Sequence, residues 1–523
     1  MRFFSTALFL GFSLTAFSAS AENYFLELIH TNDLHSHFLP FKVDGSVCEN
    51  QNCMGGFARL KAFVDEKRQE NPHLVLLDAG DRFSGTVFYT LRKGKDIPSL
   101  LNPMNYDLMA LGNHDFDDGL DELKAFEEKM NAPLLSANTV FPKGHALEKS
   151  IHKAFVLHKN NRQIGVISLL TMDAKVTSAK ASDISLTELY ETAVPLIEKL
   201  KNQGVDIIIL LNHVGVDEDI KLASQLTDVD IIVSAHTHTL LSNNPNEENS
   251  KGGYPVVVPD KNGKNVLIVS AGYGGHHVGH LKAIFDEKGE VVSFEGDTVP
   301  MDEKIMQDKE ITAQIKAVQQ EVNAVLNEKI FIAKKDIPLT PNALFCSQSC
   351  YIGEVLTSVL LAAAKKMDSS VDFAFLNAGG IRAGLRAGEV TFQNIAQSYP
   401  FDSKAVIVKI KGEDLESYLN FGLKDYVSDD RTNAFIQTAG MGYLFSGKDK
   451  KIKRIFLDDG ELDLTKEYLV VMPSFLAKGG DGFPMLEIVK EISTDTIRNV
   501  MIDILKEEQN IQPFQTRIKK MFD

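Results

Sequence analysis

Buried-strand patterns that each end in an oxygen or nitrogen ligand constrain this chain more than any other feature. Tyr24 to Thr31 alternates and then runs apolar, and it stops at Asn32-Asp33-Leu34-His35. His73 to Leu77 is followed by Asp78-Ala79-Gly80-Asp81, and Leu108 to Leu111 by Gly112-Asn113-His114-Asp115-Phe116-Asp117. Val205 to Leu211 leads into Asn212-His213, and Val229 to Val233 into Ser234-Ala235-His236-Thr237-His238. Ile164 to Leu170 is a further strand with a less informative end. Between these runs lie helical spacings, one opening at Gly55-Gly56 and running through Phe63 and Val64, one over Leu120–Met130 and one over Leu186–Gln203. Strand, polar tip and helix in repetition predict an α/β layered domain. In such a domain functional groups gather at the carboxyl ends of the strands.

Each tip alone has an ordinary explanation. Asp and His decorate turns, and a His at a strand end is usually only hydrogen-bonded. The stretch 112–119 would also serve as a polar turn with an N-cap Asp. Five tips in one domain carrying Asp33, His35, Asp81, Asn113, His114, His213, His236 and His238 are hard to obtain by chance. Carboxylate, amide and imidazole without thiolate suit a pair of hard or borderline divalent ions, with Zn, Mn, Co and Mg all admissible. A carboxylate such as Asp81 could bridge them, and a bridging water would be a nucleophile at neutral pH. Asp117 stands three residues after His114, and a hydrogen bond between them would fix the tautomer and aim of the ring.

At 523 residues the chain exceeds one ordinary core, so two domains are expected. A net charge of -16 with no Lys/Arg block argues against a surface that coats a nucleic-acid polymer or an anionic membrane. Arg2, the apolar run Phe3–Phe17 and Ala19-Ser20-Ala21 read as a cleaved signal peptide over 1–21, with Glu22 the first mature residue. Export to a periplasm or the exterior is therefore expected. No later segment reads as a span or a lipid-anchor tail, so no membrane anchor is expected after cleavage. Four cysteines allow three connectivities. The local pairs Cys48–Cys53 and Cys346–Cys350 are the simplest, and a zinc site is the weaker alternative.

From Met301 to about residue 335 the character changes. Glu310 to Ile330 lacks Gly and Pro and is helically spaced, which predicts a connecting helix or the first helix of a second domain. Tyr351 to Lys366 follows as an apolar-rich helix, then the strand Val371–Leu376 runs into Asn377-Ala378-Gly379-Gly380-Ile381-Arg382. A glycine-rich turn followed by Arg can present backbone N–H groups and a guanidinium to phosphate. Phe401, in Pro400-Phe401-Asp402, and Phe475, in Pro473-Ser474-Phe475, could clamp a nucleobase by stacking. On residue pattern alone, two core phenylalanines are the simpler explanation, since the chain has 32 Phe.

Taken together, the strings His30–His35, Leu77–Asp81, Gly112–Asp117 and Ala235–His238 resemble the calcineurin-like metallophosphoesterases and, more narrowly, the 5′-nucleotidase family. Cys48 to Leu60 is similar to the ecto-5′-nucleotidase branch. The resemblance covers essentially the whole chain after the leader. It implies a four-layered dinuclear metallophosphoesterase domain over 22–305, a linker helix and hinge over 306–332 that carries substrate between open and closed states, and a smaller α+β nucleotide-binding domain over 333–523. One ion would be held by Asp33, His35, Asp81 and His238, the other by Asp81, Asn113, His213 and His236. His238 departs from relatives that place Asn or Gln there. His114 and Asp117 would form the dyad that stabilises charge on the phosphoryl group and leaving oxygen.

In the second domain the resemblance implies base stacking by Phe401 and Phe475, substrate contacts by Asn377 and Arg382, and a ribose-side carboxylate at Asp481. The implied activity is hydrolysis of nucleoside 5′-monophosphates, AMP foremost, by an exported monomer or homodimer. The alternatives are a broader UDP-sugar or NAD pyrophosphohydrolase, a 2′,3′-cyclic phosphodiesterase, or a catalytically silent nucleotide-binding surface protein. One departure bears on specificity. The loop Cys346-Ser347-Gln348-Ser349-Cys350 lacks the Arg that the ecto-5′-nucleotidase branch carries after its first Cys. Arg382, with Arg386 beside it, is left as the main fixed positive charge of that domain, and weaker discrimination for extra phosphates is expected.

Overall fold

Strands such as Val75–Asp78, Ile207–Leu211 and Ile231–Val233 are buried along their whole length, as continuous Val, Ile and Leu runs require in a sheet covered on both faces. In the computed structural model, which describes residues 23–42, 48, 53–178, 180–339, 350–424, 434–457, 461–508 and 518–520, they belong to two six-stranded sheets. In the first, Tyr24–Thr31, Val75–Asp78, Leu108–Ala110 and Leu134–Leu135 run parallel. The hairpin His277–Phe285 and Val291–Pro300 extends that sheet antiparallel beside Tyr24–Thr31. In the second, Arg162–Ile167, Ile207–Leu211, Ile231–Val233 and Asn265–Val269 run parallel, with antiparallel strands Ala154–Lys159 and Val256–Pro259 at the two edges.

The two sheets pack face to face, because Leu28, Val75 and Leu77 of the first share one apolar cluster with Ile207, Ile209 and Ile231 of the second. Helices Leu189–Asn202 and Val216–Gln225 cover the outer face of the second sheet through Ala193, Ile197, Leu200 and Leu222. Helix Phe57–Glu70 covers the first, its Phe63 ring meeting His280 edge-on at 6.4 Å. The result is four layers, helix, sheet, sheet, helix, with the carboxyl ends of the parallel strands free to carry chemistry.

Contacts divide the chain into two compact units at Val318/Gln319, a point inside helix Lys309–Leu326. The helix expected to reach Ile330 stops earlier, and Lys329–Ala333 is instead a strand paired with Gly388–Thr391. Ile330 and Ile332 explain the difference, since β-branched side chains fit a pleated surface better than a helix. The second unit is α+β. Its five-stranded sheet runs Ile436–Ala439, Phe373–Asn377, Glu467–Pro473, Lys404–Lys411, Ile488–Thr496. Helices Tyr351–Met367 and Ile497–Glu508 pack against each other beside it.

Cys48 and Cys53 form a disulfide with 5.7 Å between their Cα atoms. Cys346, with the rest of its loop up to Ser349, and residues 1–21, where a signal peptide is expected, lie outside the described residues. Among the described residues no helix is long and apolar enough to cross a membrane.

Candidate active site

The strand tips of both sheets in the first unit converge on one cluster. Ligand-type atoms of Asp33, His35 and His238 lie within 4.8 Å of one another, and so do those of Asp81, His213 and His236. Asp81 Oδ2 stands between the two groups, 3.6 Å from His35 Nε2 and 3.1 Å from His213 Nε2. Asn113 Oδ1 is 3.1 Å from the same His213 nitrogen. Second partners set the aim of these rings. His35 Nδ1 lies 3.0 Å from the Phe83 carbonyl and His213 Nδ1 lies 2.8 Å from the Ala79 carbonyl. A carbonyl can only accept, so each Nδ1 carries a proton and each Nε2 faces the cluster. His114 Nδ1 is 2.8 Å from Asp117 Oδ2, and the His114 backbone N–H donates to Asp81 Oδ1 at 2.8 Å. The His114 ring meets His35 edge-on at 5.3 Å.

Convergence strains the backbone. Asp33, His35, Asp81, His236 and His238 all have positive φ, between 45° and 81°. Non-glycine residues rarely adopt this region, and such residues cluster at functional sites where the surroundings enforce them. Two glycines make the close approach feasible. A Cβ on Gly80 would sit 2.7 Å from the Gly112 nitrogen and 2.8 Å from His213 Nδ1, and one on Gly112 would overlap the Asp81 carboxylate.

Arg82 and Asp115, which the strand-tip pattern did not single out, lie directly beneath. The fully buried Arg82 guanidinium donates to Asp78 Oδ1 at 2.6 Å and to Asp115 Oδ2 at 2.5 Å. Asp115 also accepts from the backbone N–H groups of Arg82 and Gly112, at 3.1 and 2.9 Å. This network ties the tip that carries Asp81 to the tip that carries Asn113 and His114. The signal was present in the sequence as opposite charges adjacent to Asp81 and to His114. Asp173, just beyond the strand whose end looked uninformative, is a second addition, with Oδ1 3.5 Å from His236 Nε2.

The electrostatics suit cations. Burial pushes the Asp33 carboxyl up to about 7, against the pull of His213. Burial holds His35 down to about 3 and His238 to about 4. Burial also opposes charge on His213, yet the Asp81 carboxylate beside it raises that ring to about 10. Burial opposes charge on Asp81 in the same way, and His213 nevertheless holds it well below the usual carboxylate range. For His114, burial is outweighed by Asp117 and Asp81, and the ring rises to about 9. Carboxylates this deeply buried need positive charge beside them. Oxygen and imidazole donors already aimed inward fit a pair of divalent ions.

In the second unit, Phe401 is 42% and Phe475 46% exposed, so neither is a core side chain. Asn377 Nδ2 donates to Asp481 Oδ2 at 2.8 Å, and the Phe475 ring lies against Gly480, next to Asp481. Arg382 donates through Nε to the Gly379 carbonyl at 2.6 Å, with its guanidinium 5.3 Å from the Phe401 ring centre. Asp481 has φ 53°, another strained non-glycine position.

Comparison with known proteins fits this arrangement. Residues 26–240 match the calcineurin-like phosphoesterase family model, and residues 333–488 match that of the 5′-nucleotidase C-terminal domain. The chain is 30% identical to 5′-nucleotidase of Bos taurus and to that of Homo sapiens, in each case over 94% of this chain and 90% of the relative. Among solved structures it is similar to a 5′-nucleotidase precursor from Thermus thermophilus, at 29% identity and TM-score 0.68, covering 96% of this chain and 100% of that one. It shares its fold with an NAD nucleotidase from Haemophilus influenzae, at 22% identity and TM-score 0.64, again covering 96% and 100%.

Proposed function

The chain belongs to the 5′-nucleotidase family of metal-dependent phosphoester hydrolases, and from that premise we propose that it is an exported enzyme releasing phosphate from nucleoside 5′-monophosphates, AMP foremost. The observation that carries this reading is the pair of ligand groups with Asp81 Oδ2 standing between them, beside the His114–Asp117 dyad. Asp33, His35, Asp81 and His238 would hold one divalent ion, and Asp81, Asn113, His213 and His236 the other. Two such ions supply Lewis acidity to phosphoryl oxygens and make water a nucleophile at neutral pH.

The chain's own residues do the rest. His114, protonated and held by Asp117, donates to the phosphoryl or leaving-group oxygen as charge builds there. Phe401 and Phe475 stack the base, Asn377 and Arg382 contact substrate, and Asp481 accepts from the ribose. Residues 22–305 would form the metal-binding domain, 306–332 the connecting helix and 333–523 the nucleoside-binding domain. The leader over 1–21 and the Cys48–Cys53 disulfide support export.

The reading is tested with a panel of AMP, ADP, NAD, a UDP-sugar and a 2′,3′-cyclic nucleotide, comparing kcat/KM with Mn, Zn or Co present. AMP is expected to lead. A clear preference for the pyrophosphates or the cyclic nucleotide would overturn the assignment.

A further inference from the structure

A buried arginine anchors the loop that presents Phe401. Arg498, near the start of helix Ile497–Glu508, is only 2% exposed, and its guanidinium donates through Nη2 to Asp402 Oδ1 at 2.6 Å. Asp402 immediately follows the exposed Phe401. The next residue is pinned by the same helix, because the Ile497 backbone N–H donates to the Ser403 carbonyl at 2.7 Å. One residue further, the Lys404 backbone N–H donates to Ser474 Oγ at 3.2 Å, which ties this loop to the short helix Ser474–Ala477 that carries Phe475. The two aromatic rings thus stand on neighbouring strand ends, Ala405 facing Pro473 in the sheet register.

An ion pair with a buried partner is weak evidence for stability, since desolvation consumes most of the attraction. It does fix geometry. Holding a loop in its binding conformation lowers the cost of ordering it when a ligand arrives. We propose that Arg498 is a positioning residue for nucleoside recognition, acting through Asp402 to keep Phe401 set for a base opposite Phe475. The inference rests on the reading of Phe401 and Phe475 as base-stacking groups and adds to it what sets one of them.

The test compares AMP with ribose 5-phosphate, which is the same substrate without the base, in the metal-loaded full chain. Asp402→Asn and Arg498→Lys are the informative variants, with Arg498→Gln as the more severe one and thermal melting run alongside. Asp402→Asn is expected to raise KM for AMP about 5- to 20-fold, with kcat for AMP and both constants for ribose 5-phosphate within about twofold of the parent; stacking on one ring is worth enough to allow such a change. Arg498→Lys should recover part of the loss seen in Arg498→Gln. Phe401→Ala separates stacking from positioning. If it too leaves the AMP to ribose 5-phosphate ratio unchanged, the base-stacking reading fails. If Phe401→Ala shifts the ratio while Asp402→Asn and both Arg498 variants do not, or shift both substrates equally, Arg498 is only structural and this inference is wrong.

Discussion

His114 owes its protonation to its neighbours, and that makes it testable by pH. Its ring is raised from the ordinary 6.5 to about 9, burial being overcome by the Asp117 hydrogen bond and by Asp81. If the protonated ring is the donor, kcat for AMP falls as pH rises through about 9. Asp117→Asn removes the carboxylate that holds the charged ring most strongly, so that falling limb should move toward lower pH. A limb that stays in place would exclude His114 as the titrating donor. Arg82 gives a different expectation. Arg82→Gln leaves Asp78 and Asp115 buried beside an uncharged amide, at a cost on the order of 3–5 kcal/mol, and it should also weaken metal retention because the tips of Asp81 and His114 lose their common tie. Chemical denaturation together with metal analysis checks both, and a variant with parental stability and full metal content would contradict the scaffold role. Arg82 was legible as a charge but not as a buried one, because its burial follows from how two separate tips meet.

At the scale of elements, the parallel strands were the readable part. Tyr24–Thr31 has the bounds its pattern predicts, and the buried runs ending near Asp81, Asn113, His213 and His236 are shorter by one or two residues. These stretches are apolar on both faces, so their signal does not depend on register. The hairpin His277–Pro300 escaped the same reading. One strand alternates buried and half-buried positions and the other is mostly exposed, so neither shows a continuous apolar run. The ligand residues were legible because each follows a strand directly, whereas the left-handed backbone that turns them toward one point is set by tertiary contact. That contact is tight at Gly112, and Gly112→Ala is the element-level test. The added methyl should force the Asp81 tip away and reduce metal binding, while leaving the sheets and the circular-dichroism spectrum intact. Unchanged metal content would show that the tips have more freedom than their packing implies.

For the whole molecule, the exposure of Phe401 and Phe475 removes the alternative of two core side chains and leaves both rings available to a base. The proposed domain plan and the expectation of export rest on sequence and family. The claim that unites them is a phosphomonoesterase built around two divalent ions sharing Asp81. It is tested most directly by stripping the purified chain with chelator, then titrating back Mn, Zn or Co while measuring bound metal per chain and phosphate released from AMP in the same samples. Activity should vanish on stripping and return as occupancy rises to two ions per chain, and Asp81→Ala should reach neither. Full AMP hydrolysis in the stripped protein, or activity that saturates with a single bound ion, would contradict a shared two-ion centre.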